Sequence, residues 1–98
     1  MVANRLARRI EDLQREVERV RATIKVLEEQ VQVWRESLDE MRLRSLVSET
    51  LQVSADYDEV ARHASVAESE LERRRSELNE LVARRDELLR EWTPEGTR

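Results

Sequence analysis

The chain has 98 residues, of which 41% are charged and 3% aromatic, with one glycine, one proline, no phenylalanine and no cysteine. Without cysteine there is no disulfide framework, no thiolate metal site and no thiol nucleophile, and the composition fits the Ala/Glu/Lys/Leu/Arg bias of long helices rather than a compact globule. The net charge of −4 is unevenly placed: residues 1–25 carry seven basic and four acidic groups (+3), and residues 26–59 carry three basic and nine acidic (−6).

The first element begins near Leu6. Leu6, Ile10, Leu13, Val17, Val20, Ile24, Leu27, Val31, Trp34, Leu38 and Met41 alternate steps of four and three. This is the a/d pattern of a coiled coil. Position a holds Ile10, Val17, Ile24, Val31 and Leu38; position d holds Leu6, Leu13, Val20, Leu27, Trp34 and Met41. The spacing predicts a helix over about 3–44. High charge alone would suit disorder, but disorder does not keep such a beat.

Next comes SLVSETLQVSADYDEV, Ser45 to Val60, where the beat stops and Ser, Thr and Val crowd in. A second register starts at Tyr57. Tyr57, Ala64, Leu71, Leu78, Arg85 and Trp92 occupy a; Val60, Ala67, Arg74, Leu81 and Leu88 occupy d. Extending the first frame puts an a position at Glu59, two residues away from the Tyr57 that the second frame needs. A continuous coiled coil absorbs insertions of three or four, not a deletion of two. The chain is therefore expected to reverse within 45–55. A second helix is expected over about 56–92, opened by Ser54 or by an Asp56/Glu59 capping box. Thr93-Pro94-Glu95-Gly96 is expected to stop it, leaving a tail at 93–98. The expectation is one all-α domain over 1–98, a long antiparallel two-helix coiled-coil hairpin.

Antiparallel packing sets a layers against d layers. Residue pairs whose numbers add to 98 satisfy this along the whole length. Leu6 falls opposite Trp92, Ile10 opposite Leu88, Val17 opposite Leu81, Val20 opposite Leu78, Leu27 opposite Leu71, Val31 opposite Ala67, Trp34 opposite Ala64, Leu38 opposite Val60 and Met41 opposite Tyr57. Trp34 against small residues is the large-to-small match a packed layer needs. Leu13 opposite Arg85 and Ile24 opposite Arg74 are imperfect layers whose arginines must reach for water. The register centres the turn on Glu49. A rival arrangement pairs the first helix in parallel with its own copy, since Ile/Val at a with Leu at d is the preference of parallel two-stranded coils.

Two helices make a thin core. Ala61, Val82 and Leu89 at e positions widen the second helix's stripe, and Val26 and Val33 add apolar surface to the first. These predict a homodimer or higher homo-oligomer, most simply a four-helix assembly of two hairpins. The charge split would lay each acidic half on the basic half of an antiparallel partner.

Chemistry is sparse. The single His63 falls at a flanking g position and is expected to be solvated, and a metal site needs several convergent ligands. No glycine-rich phosphate loop exists. Arg5, Arg8 and Arg9 and the run Arg73-Arg74-Arg75 could touch phosphates, but acids intersperse them and no aromatic platform accompanies them. Ion pairing within the protein is the simpler expectation. Acids on the polar faces suit an anionic bilayer poorly, and no apolar run approaches the ~18 residues of a span. The basic start MVANRLARRIEDL has no apolar segment behind it, so no secretory signal is expected and the default location is the cytoplasm. The chain is expected to be no enzyme and to need no cofactor or metal. Membrane and nucleic acid are not its expected partners.

The region 45–55 remains as the candidate partner-binding tip: Leu46, Val47, Glu49, Leu51 and Val53, with Asp56 at its edge. These side chains either close the bundle end over Met41 and Tyr57 or form an apolar patch rimmed by acids. Ala55-Asp56-Tyr57-Asp58 leading into a charged helix resembles the start of the second coiled-coil helix in Gre-type transcript cleavage factors. That resemblance implies a hairpin inserted into the secondary channel of RNA polymerase. The acid pair of the family's pattern falls here on Thr50 and Val53. Two functions are thus expected in turn. The first is a structural or protein-interaction module that self-associates and presents its turn. The alternative is a regulator that inserts an acidic hairpin tip into a large enzyme such as RNA polymerase.

Overall fold

The computed structural model describes residues 2–48 and 50–96. They form two α-helices, α1 (Val2–Val47) and α2 (Leu51–Gly96), connected through residues 48–50. The fold is an all-α helical hairpin, with no strand among the described residues. Among the described residues, no helix is long and apolar enough to cross a membrane.

The turn is shorter than the sequence spacing predicts. α1 continues to Val47 rather than stopping near 44, and α2 opens at Leu51 rather than 56. The reason is local. An a/d beat reports where a helix touches a neighbour, not where its backbone is helical. Neither Gly nor Pro interrupts 44–55, so each helix runs past the end of its seam. Ser48 N–H still donates to the Arg44 carbonyl (2.9 Å). At the start of α2, Thr50 caps the helix. Its Oγ1 accepts from the Val53 N–H (3.2 Å) and its carbonyl from the Ser54 N–H (3.2 Å), as an N-cap threonine does. The expected Asp56/Glu59 capping box therefore lies inside α2, and Ser54 is not its start. At the other end α2 runs to Gly96, past the expected stop at 93. Pro94 withholds only one N–H, and it does so in the final turn. Glu49, the expected turn centre, lies outside the described residues. The helix ends on either side of it, Val47 and Leu51, each stand two positions away.

The chain divides into two compact units, Met1–Ile24 with Arg74–Arg98 (unit 1) and Lys25–Arg73 (unit 2). Unit 1 buries Val17, Val20, Ile24 and Leu88, and Leu6, Ile10, Leu13, Leu78 and Leu81 are half-buried. Trp92, expected in the seam, is 48% exposed. It belongs to the last layer before the helix ends, so no further layer covers its outer edge. The two seam arginines are accommodated by partners. Arg85 Nη1 donates to Gln14 Oε1 across the helices (2.7 Å), while its Nε and Nη2 donate to Asp86 (3.2 and 3.1 Å). Arg74 pairs with Glu77 (2.9 Å).

Unit 2 buries Val31, Ala64, Ala67 and Leu71, with Leu27, Leu38, Met41, Tyr57 and Val60 half-buried. Fully burying a leucine such as Leu71 contributes ~2 kcal/mol. Trp34 is too large for a two-helix layer. It lies half-buried, and its ring stacks on His63, centroids 4.9 Å apart and planes 11° from parallel. His63 is thus not the purely solvated residue its g position suggests: a bulky d residue spills over the neighbouring g residue of the other helix. Arg35 bridges to Glu68 (3.3 Å) at the unit's rim.

Candidate partner-binding tip

The tip belongs wholly to unit 2. Leu46 is 77% exposed, Val47 89% and Leu51 92%. Val53 is half-buried. Leu46, Val47 and Leu51 do not close the end over Met41 and Tyr57. Both helices are regular up to a three-residue connection, so the side chains at 46, 47 and 51 project from helical positions instead of folding back. Leu46, Leu51 and Val53 line one open depression of about 640 Å³, with Arg42, Ser45 and Tyr57 on its wall. Val47 is exposed but does not line it. Asp56 is half-buried and accepts from Gln52 Nε2 (2.9 Å) one turn earlier. Glu49 lies outside the described residues.

Arg42 of α1 and Tyr57 of α2 put polar groups on the wall of the depression. Side-chain hydrogen bonding to Tyr57 is the main reason the Arg42 guanidinium is held above its ordinary value. Attraction to the phenol adds to the effect, slight desolvation opposes it, and Asp39 adds a little more. Ser45 Oγ donates to the Arg42 carbonyl (2.8 Å), and Arg44 pairs with Glu40 (3.4 Å). Ser45 and the Arg44–Glu40 pair satisfy polar groups near the patch, while Leu46 and Leu51 face water.

Sequence reasoning missed two features of this unit. Leu43 is 65% and Val66 69% exposed. Leu43 is at f and Val66 at c, and an apolar residue at an outward heptad position is the signal that could have found both. The place of Arg42 and Tyr57 on the wall of the depression had no such signal, because Tyr57 reads simply as a seam residue.

The remaining candidates are dispersed. Among the described residues no group of three or more His, Cys, Asp or Glu side chains could hold a metal ion. Arg73 and Arg74 pair with Glu70 (3.2 Å) and Glu77 (2.9 Å) on their own helix, and His63 Nε2 lies 3.9 Å from Glu59. Compared with family models, curated proteins and solved structures, the chain matches none of them.

Proposed function

We propose that the chain is a non-enzymatic coiled-coil module that associates with copies of itself and presents its turn to a partner protein. One observation carries the reading. Where the hairpin reverses, Leu46, Val47 and Leu51 stand almost fully in water, in a chain whose outer positions are otherwise largely charged. An apolar cluster of this kind marks a contact surface. Asp56, Asp58 and Glu59 follow within one to two turns. An apolar patch with an acidic edge favours a partner whose apolar ridge is flanked by basic groups.

The test is the double variant Leu46→Ser/Leu51→Ser in the full chain. Both sites are exposed, so the helical signal and the melting transition should shift by no more than ~0.5 kcal/mol. Affinity capture with the wild-type chain should recover a protein that the variant does not. A variant that melts far earlier would make the leucines core, and one that recovers the same protein as wild type would remove the tip from the function.

A further inference from the structure

The exposed valines of α1 occupy a surface that the hairpin itself does not use. Val26 is 53% and Val33 58% exposed. Together with Glu29, Gln30 and Trp34 they line a shallow depression in unit 2, open to solvent. Val26, Glu29, Gln30 and Val33 stand at i, i+3, i+4 and i+7. That is the four-residue hole into which a facing helix inserts a side chain.

Charge indicates what faces it. Val26 and Val33 are at heptad position c of α1, flanked by f and g. At these positions before residue 20, Arg5, Arg8, Arg9, Arg15 and Arg19 outnumber Asp12 and Glu16. After residue 28, Glu29, Glu36 and Glu40 outnumber Arg44. Between them Ala22, Thr23, Val26, Gln30, Val33 and Ser37 carry no charge. A parallel copy would set like on like, whereas an antiparallel copy sets acid on base.

We infer that the Val26–Val33 face is the dyad interface of an antiparallel homodimer, formed by a second copy of this chain. The inference rests on the self-association proposed above and names its surface and direction. The dyad lies between Glu29 and Gln30. It sets each Val26 beside Val33 of the second copy, and each Glu40 beside Arg19 of the second copy. Gln30 of the second copy comes over the depression. That register sets it level with Glu29 of the first copy, whose carboxylate accepts from its amide. Arg15 falls level with Arg44 of the second copy. Each keeps an intrachain acid, Asp12 and Glu40 respectively, which screens that like-charge pair.

The experiment measures the mass of the full chain by sedimentation across concentration, at low and high salt. The wild type should be a dimer that weakens as salt rises. Val26→Glu/Val33→Glu places like charges around the dyad and should weaken dimerisation at least ~100-fold, with helical signal unchanged because both sites are exposed. Glu40→Arg should weaken it less, and Glu40→Arg combined with Arg19→Glu should restore it, because the swapped pair re-forms across the dyad. A wild-type chain that stays monomeric overturns self-association itself and leaves the face to another protein. A dimer indifferent to Val26→Glu/Val33→Glu overturns only this face. A dimer lost in Glu40→Arg and not restored by Arg19→Glu overturns the antiparallel register.

Discussion

The two units solve the same packing problem with different side chains. Unit 1 buries Val17, Val20, Ile24 and Leu88 and admits Arg74 and Arg85 to seam positions. Unit 2 admits no charge to its seam. It buries the small residues Ala64 and Ala67, and its half-buried Trp34 rests its indole ring on His63. Their charges also differ. Lys25–Arg73 carries six basic and twelve acidic residues, −6, and the rest of the chain twelve basic and ten acidic, +2, which together give the −4 of the whole. The exposed apolar residues divide the same way: Val26, Val33, Leu43, Leu46, Val47, Leu51 and Val66 all belong to unit 2, and Trp92 belongs to unit 1. Unit 1 places charge inside its seam, and unit 2 places apolar groups outside its own. The second arrangement leaves surface for contacts the hairpin cannot make with itself.

The largest effect should come from asking unit 2 to tolerate what unit 1 tolerates. Arg85 works in a seam because a long side chain reaches Gln14 and Asp86. An aspartate has no such reach. Leu71→Asp should therefore cost several kcal/mol and abolish or sharply lower the thermal transition followed by helical circular dichroism. A melting temperature within a few degrees of wild type would mean that Leu71 is not packed between the helices. The reverse exchange tests unit 1. Arg85→Leu removes a partly desolvated charge that needs two partners to be satisfied, and replacing such groups by apolar ones is often neutral or stabilising. The expected gain is about 1 kcal/mol, read as a higher melting temperature. A loss of stability would show that the Gln14–Arg85–Asp86 network holds the unit together more strongly than a leucine layer would.

Most of the fold was legible because helix–helix contact writes itself into sequence as a 3–4 beat. Val17, Val20, Ile24, Val31, Ala64, Ala67, Leu71 and Leu88, the buried side chains, all lie on that beat. The misjudged features lie where the beat carries no information. Loss of phase at Ser45 marks the end of interhelical contact, yet the backbone stays helical to Val47 and resumes at Leu51, since nothing in the local sequence breaks a helix. The turn was therefore expected to span 45–55 when residues 48–50 suffice. That difference decides the character of the tip. In a long irregular turn the leucines could fold inward, but on two helix ends they point out. The Trp34–His63 stack was hidden for another reason: heptad letters place a residue by its Cβ and ignore how far an indole extends.

The smallest predicted effect bears on where α2 begins, and so on why Leu51 is exposed. Among the described residues, Thr50 is the side chain that receives an N–H from the first turn of α2, that of Val53. Thr50→Ala should cost about 1 kcal/mol, the usual value of an N-cap oxygen, while Thr50→Ser should cost little because it keeps the hydroxyl. The loss should appear as faster amide exchange confined to residues 51–54, with the Val17 and Leu71 layers unaffected. Asp56 and Glu59 offer a competing cap six residues on. If they took over, α2 would open near 57, and Leu51 and Val53 would be released from the helix. Exchange would then accelerate through residue 56. An unchanged exchange pattern in Thr50→Ala would mean that packing, not the cap, sets the start of α2. The comparison of the units would then extend to their ends, with the tip of unit 2 held by the same seam as its middle.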